Sequence, residues 1–351
     1  MRFNRIKLLE QLECVTPGIS DRDLSEQAAC IAFLDGRAYS YNDEVSCSVA
    51  CDLEITGAVK AKPLLAIMRK LPEDDIEIEQ GDGELVIKGK RRQMGVRMES
   101  EVLMPIASLE RPKRMKELNP EFCDAIGVVQ QCASDNEAFF NVTCVHITPE
   151  WVEACDNYQM SRYRVDTGFK GSFLVRRNAV RFVRDLGMTK FGETDSWVHF
   201  SNANGLLMSC RRYLDDYPDL APMTVVEGDR VMLPKGLADA ADKASVFSSD
   251  NLEHDEISVR LSSDGKLKIM GQGVNGWYSE VRSVKYQGKD LCFMIPPDLL
   301  KYITGEFDSC VVGSGRLMVD GDKFVYVTVI GGDTSPTRTR KNRYASSKQQ
   351  D

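Results

Sequence analysis

Histidine is scarce in this chain. Only His146, His199 and His254 occur in 351 residues, which leaves little material for general-base or metal chemistry. No CxxC pair occurs, although eleven cysteines, an odd number, are scattered from Cys14 to Cys310. That usage predicts a reducing cytosol, with thiols serving as small core hydrophobes. Cys47 and Cys51 are four apart, and only suitable geometry would allow a bridge. No apolar run approaches about 18 residues, and the start, MRFNRIKLLEQLE, is charged throughout; neither a membrane span nor a secretory signal is expected. The patterns GxxxxGK[ST], HExxH, GxSxG and the EF-hand loop do not occur. GQGVNG (271–276) matches G-x-G-x-x-G literally, but WYSEVRSVKY after it alternates like a strand. A dinucleotide site needs a helix there, so a glycine-rich strand connection is expected instead. Cys155 with His146 is a conceivable thiol–base pair. However, His146 sits in the alternating FFNVTCVHITPEW, which favours a packing or surface role. The chain is therefore expected to be no enzyme and to hold no cofactor and no metal.

What is present is an ordinary soluble composition, 42% hydrophobic and 28% charged. The length suits two or three domains. A formal net charge of -8 argues against a generic nucleic-acid coat but says nothing about one local face.

A pattern recurs. PLLAIMRKL (63–71), RNAVRFVRDL (177–186) and PPDLLKYITG (296–305) are short amphipathic helices. Each follows a short apolar strand: ITGAVKA, GSFLVR, LCFMIP. Each precedes two strands around a turn, with Asp82-Gly83, Asn204-Gly205 and a Gly313-to-Gly315 turn as hairpin residues. An earlier helix repeats as 5–15, 120–133 and 233–247, with proline at the start of the second and near the start of the third. The expected fold class is α+β: three repeated domains of roughly 115 residues, each two helices backed by antiparallel sheet. Proline-bearing boundaries place them at 1–112, 113–225 and 226–332. The tail 333–351 sets Arg338, Arg340, Lys341, Arg343 and Lys348 against Asp333 and Asp351, lacks apolar periodicity and is expected to be disordered.

A domain of this size is a sphere about 34 Å across. Six touching spheres enclose a hole about one sphere wide; three enclose almost none. Three domains per chain therefore suggest a two-chain ring. The repeated helices carry Lys62, Arg69 and Lys70, then Arg176, Arg177, Arg181 and Arg184, then Lys301, with Lys235 and Lys243 on the partner helix. The acids Glu73, Asp74, Asp75, Glu77 and Glu79 follow the first helix. With helices inside and acidic strands outside, an acidic protein gains a basic bore. Phosphate contacts alone are sequence-independent, weak and mobile, which suits sliding.

GAVKAKPLLAIMRKLPEDDIEI, WVEACDNYQMSRYRV, LLMSCRRYLDDYPDLAP and GRLMVDGDKFVYVTVI, in this order and spacing, resemble the bacterial sliding clamp family, the beta subunit of DNA polymerase III. The resemblance covers about residues 1–332. It implies a ring-forming DNA clamp: a cytoplasmic, non-catalytic head-to-tail homodimer around duplex DNA. Its implied partners are double-stranded DNA, a replicative DNA polymerase and an ATP-driven clamp loader. Implied DNA-facing residues are Arg22, Arg69, Lys70, Arg177, Arg181 and Arg184, with Lys235 and Lys301 from the third unit. The implied partner-peptide cleft comprises Cys155, Asn157, Tyr158, Met160, Pro222, Met223, Val329 and Ile330. Two departures stand out. Asp156-Asn157-Tyr158-Gln159-Met160 replaces the family's Asp-Gly-His-Arg-Leu, and the last strand runs through YVTVIGGD into the basic tail. A divergent, virus-encoded clamp with a changed or blunted cleft is one reading of these departures. A clamp-like interaction or structural protein that closes no ring is the alternative function.

Overall fold

The structure, a computed structural model, describes residues 2–20, 25–248 and 256–331. Helices and antiparallel strands alternate through these residues. The helices are α1 (Arg5–Cys14), α2 (Ala61–Lys70), α3 (Pro120–Val129), α4 (Arg177–Asp185), α5 (Leu237–Ser248) and α6 (Pro297–Glu306). Two kinds of start recur. Asn4 accepts a bond from the Lys7 N–H at 3.0 Å to cap α1, and Asn119 accepts from the Glu121 N–H at 3.1 Å to cap α3. Helices α2, α4 and α6 have no side-chain cap and issue directly from strands Gly57–Lys60, Phe173–Arg176 and Leu291–Ile295. Their entry residues share one geometry: Lys60 at φ -56°, ψ 121°, Arg176 at -55°, 134° and Pro296 at -58°, 134°.

Two sequence expectations are corrected here. Helix α5 starts at Leu237, later than the expected 233, because Gly236 takes φ +81° and the Arg282 guanidinium occupies the place of a Cβ there, 2.7 Å away. Lys235 therefore lies outside the helix. The segment after residue 129 continues as a 3-10 turn, Gln130–Cys132. The GQGVNG stretch joins the paired strands Lys266–Gly273 and Gly276–Ser283, as the strand reading required. Cys47 and Cys51 are both buried free thiols, and burial pushes the Cys47 thiol up to about 12.

The chain forms two compact units. The first comprises Met1–Ala154 and Tyr163–Tyr217. Its main sheet has twelve strands, from Arg2–Asn4 through Asp75–Gln80, Glu84–Lys88, Gln93–Glu99, Gly57–Lys60, Cys30–Leu34, Arg37–Tyr41, Val45–Ala50, Leu207–Arg211, Trp197–Ser201 and Lys190–Glu193 to Lys116–Glu117. Strands Val45–Ala50 and Leu207–Arg211 pair antiparallel, with Cys47 opposite Met208 and Val45 opposite Cys210. This seam is sealed. Trp197 joins a core of Tyr39, Tyr41, Ala32 and Met104, and its ring lies 6.2 Å from that of Tyr41. The first two sequence repeats thus share one unbroken sheet and one body. Helices α1 and α2 pack together, as do α3 and α4.

The second unit comprises Cys155–Arg162 and Pro218–Asp351. In one of its sheets Phe324–Val329, Arg316–Asp320, Ser309–Gly313 and Asp229–Met232 lie in that order. In the other the order is Gly276–Ser283, Lys266–Gly273, Ile257–Ser262 and Leu291–Ile295. Helices α5 and α6 pack against each other, and α5 against strand Lys266–Gly273.

Candidate nucleic-acid interface

Helix α2 buries Ala61, Leu64, Leu65 and Met68 and leaves Lys62, Arg69 and Lys70 exposed. The spacing puts the apolar residues on one stripe, so the cations take the other face. Arg69 and Lys70 also stand in the last turn, where cations suit the helix dipole. Arg5 of α1 reaches across and donates to the carbonyls of Glu73 at 2.7 Å and Met68 at 3.1 Å. That contact fixes the end of α2. Arg69 pairs with Glu13 of α1 at 2.8 Å, both half-exposed, so its charge is partly shared. Among the described residues no carboxylate pairs with Lys62 or Lys70.

Helix α4 buries Ala179, Val180 and Val183 against α3. Its three arginines and Arg176, which ends the preceding strand, part company. Arg176 is buried, donates to Glu137 and Thr143, lies 3.3 Å from Glu44, and sits over the Phe140 ring. It is a structural cation and faces no solvent, contrary to its place among the helix cations in the sequence. Arg177 is half-buried and donates to the Ala133 carbonyl at 2.8 Å and to Asp135 at 2.6 Å. Arg181 and Arg184 are exposed. Arg181 lies over the Phe182 ring at 4.7 Å. Arg184 crosses α3 at Gly127, where its guanidinium takes the space of a Cβ. Neither Arg181 nor Arg184 has a carboxylate partner among the described residues.

The third helix pair differs in charge. Lys243 pairs with Asp239 at 2.7 Å. Lys301 pairs with Asp298 at 2.7 Å and Asp242 at 3.1 Å. The Asp298 bond in particular raises the Lys301 proton affinity. Lys235 is exposed but stands ahead of the helix. Helices α5 and α6 carry Asp239, Asp242, Asp298 and Glu306 against Lys243 and Lys301, an acidic balance that the sequence reading missed. Arg22 lies outside the described residues, as do His254 and the tail.

The expected cleft residues all lie in the second unit. Asp156 accepts from the backbone N–H of Tyr158 at 2.6 Å and of Gln159 at 2.8 Å, closing a tight turn. That turn seats the Tyr158 carbonyl against the last strand, where the Val329 N–H donates to it at 2.8 Å. Below, the Tyr326 hydroxyl meets Gln159 at 3.1 Å. The 3-10 turn Ala221–Thr224 lies beside the same strand, Phe324–Val329. Asn157, Pro222, Met223 and Val329 are exposed; Tyr158 and Ile330 are half-buried. Cys155 and Met160 are buried, so these two members offer no accessible wall, a correction to the expected set. The apolar side chains of Met223, Val225 and Val329 instead form the open surface.

The described histidines lie in strands. His146 Nδ1 stands 2.7 Å from Glu153 Oε1, its cross-strand partner, so the histidine is committed to a carboxylate. His199 is fully buried between Ser209 and Thr194. Among the described residues no group of three acidic, cysteine or histidine side chains could hold a metal ion, and no helix is long and apolar enough to cross a membrane.

No protein-family model and no curated protein matches this chain. Solved structures do. It is similar to a putative DNA polymerase III beta subunit from Eubacterium rectale, with TM-score 0.70 and 16% identity over 94% of this chain and 98% of that one. It is similar to the DNA polymerase III beta subunit of Thermotoga maritima, with TM-score 0.69 and 14% identity over 94% and 98%. A sliding clamp from Pseudomonas aeruginosa matches with TM-score 0.68 and 16% identity over the same shares. The fold of this chain is the sliding-clamp fold.

Proposed function

We propose that this chain is a DNA sliding clamp, a non-enzymatic ring that encircles duplex DNA and tethers a replicative polymerase. The observation that carries the reading is the recurrent strand-to-helix unit, with cations left open on α2 and α4, in a chain with the fold of solved clamps. The mechanism is topological. A closed ring cannot leave the duplex, and exposed Lys62, Lys70, Arg181 and Arg184 touch phosphates weakly enough to slide. A polymerase docked on the Met223, Val225 and Val329 surface stays at high effective concentration near its template. An ATP-driven loader opens the ring; this chain needs no cofactor and works in the cytoplasm. The three-domain division at about residues 112 and 225 belongs to this reading.

Closure needs a second copy. In the second unit, Gly276–Ser283 is a sheet edge with Trp277 67% exposed and Val281 beside it on the same face. An unpaired apolar edge of this kind is a template for another strand. In the first unit, Gln93–Glu99 pairs along Glu84–Lys88 but meets Gly57–Lys60 through Met98 and Glu99 alone, so residues 93–97 keep one side open. Joining these edges twice between two copies makes a closed head-to-tail dimer. Light scattering on a sizing column across a dilution series tests this. A species of twice the 39.4 kDa chain mass is expected, retained on nicked circular DNA and lost from it when the circle is cut. A monomer at every concentration would overturn the ring and leave the clamp-like interaction protein, which the acidic α5–α6 pair favours.

A further inference from the structure

The second unit reverses the charge arrangement of the first. In the first, α2 leaves cations open while strand Asp75–Gln80 exposes Asp75, Glu77 and Glu79. In the second, the α5–α6 pair carries the acids and a sheet carries the cations. Helix α5 packs against strand Lys266–Gly273, where the Ala244 carbonyl occupies the place of a Cβ on Gly271. Leu267 and Ile269 are buried on that covered face. Side chains alternate along a strand, so Lys266 and Lys268 stand on the other face. Both are exposed.

Strand register fills in the rest of that open face. Arg260, exposed, lies directly opposite Lys268. Ser262 and Ser283 flank Lys266 on its two sides. Trp277, 67% exposed, lies opposite Gln272 farther along. On strands Ile257–Ser262, Lys266–Gly273 and Gly276–Ser283, no residue of this face is acidic. At the rim, Asp264 pairs with Lys266 at 2.5 Å. Asp290, near Arg260, accepts from the Ser263 N–H at 2.6 Å. Lys268 has no carboxylate partner among the described residues. Like charges directly opposite each other destabilise a sheet, and an anion set between them removes that cost.

Together these residues form a track. Lys266 stands opposite Ser283, and Trp277 follows on that neighbouring strand, so cations and ring span about 20 Å. Cations and hydroxyls position phosphates, and an exposed aromatic ring beside them is a stacking platform for a base. A flat face touches a duplex, a cylinder, only along a narrow strip, whereas a flexible single strand can follow it. We propose that this sheet face of the second unit binds single-stranded nucleic acid without sequence preference. Phosphates rest on Arg260, Lys268 and Lys266, and a base stacks on Trp277. The inference needs neither ring closure nor the cations of α2 and α4. Pairing along the Gly276–Ser283 edge uses backbone groups in the plane of the sheet, and the track stands out of that plane.

Fluorescence anisotropy of a labelled oligothymidylate of about 20 nucleotides, and of a duplex of the same length, tests the proposal on the full chain. Arg260→Glu with Lys268→Glu removes the cations yet keeps two like charges opposite each other, so melting should be unchanged. Arg260→Gln with Lys268→Gln serves if it is not. Both positions lie off the edge strand, so the solution mass should not move. Affinity for the oligothymidylate should fall about tenfold, and its salt slope should shrink by about 1.4 for two lost phosphate contacts. Duplex affinity should change less than about twofold. Arg181→Glu with Arg184→Glu should show the opposite preference, weakening the duplex more. Trp277→Ser should weaken the oligothymidylate about tenfold. Unchanged oligothymidylate binding in the Arg260, Lys268 variants overturns the proposal. An equal loss on the duplex overturns the choice of a single strand. Oligoglutamate binding as tightly, with Trp277→Ser affecting neither probe, overturns nucleic acid as the occupant and assigns the face to an acidic protein segment.

Discussion

Arg176, Arg177, Arg181 and Arg184 stand within nine residues of one another and do different work. Arg176 is an internal tie between Glu44, Glu137, Thr143 and the Phe140 ring, while Arg181 reaches solvent. Replacing each by methionine separates them. Arg176→Met should lower stability by about 2 kcal/mol, a figure held down by the partial exposure of both carboxylates. Arg181→Met should stay within about 0.5 kcal/mol. Denaturant titration reads both, and equal costs would refute the assignment. Nothing in the string RRNAVRFVRD distinguishes these roles, because burial of Arg176 depends on Glu44 and Glu137, far away in sequence. His199 was likewise illegible. It is fully buried, with Nδ1 2.8 Å from the Ser209 hydroxyl and Nε2 3.1 Å from that of Thr194, and burial lowers its pKa from 6.5 to about 4. The folded state resists protonation and the unfolded state accepts it. Its contribution is therefore fully present above about pH 6.5 and is lost as pH falls toward 4. Over that window stability should fall by about 3 kcal/mol at most. The fall between pH 6.5 and 5 should be smaller in His199→Gln than in the native chain; unchanged slopes would sink the idea.

At the scale of elements, most of the architecture could be read in advance. Apolar stripes, a proline at a helix start and the strand-to-helix recurrence are local features, so the sequence carries them. The start of α5 was misplaced by four residues because a leucine and a proline look helical until Gly236 turns the chain the other way. The charge of the third helix pair was misjudged for a different reason. Counting cations without their neighbours hid Asp239, Asp242 and Asp298, which hold Lys243 and Lys301. The grip should therefore be unequal. Changing Arg181 and Arg184 to glutamate should weaken duplex binding and flatten its salt dependence by a slope of about 2. Changing Lys243 and Lys301 to glutamate should do far less. Changing Asp239, Asp242 and Asp298 to asparagine should tighten binding. Fluorescence anisotropy against salt distinguishes the three sets, measured on chains ending at Gly331 so that tail cations do not intrude.

At the scale of the whole molecule, the repeat spacing was legible, whereas the strand edges proposed to join two copies were not. Strand edges associate through backbone groups, which every residue carries, so an interface edge has no motif. The signal lies in what the edge displays. Trp277 and Val281 sit where a charged edge would normally guard against pairing. Their exposure in a single chain makes sense if a second copy covers them. Trp277→Asp with Val281→Asp puts two carboxylates on that edge at positions more than half exposed, so the melting temperature of each chain should move little. The mass in solution should fall to 39.4 kDa, and retention on circular duplex should vanish. Binding to short linear duplex should persist, weakened, because α2 and α4 keep their cations. Loss of the dimer with intact linear binding would locate the tether in ring topology and the grip in the helices. A dimer that survives both aspartates would place closure on some other edge, and the free side of residues 93–97 would then need a different mate.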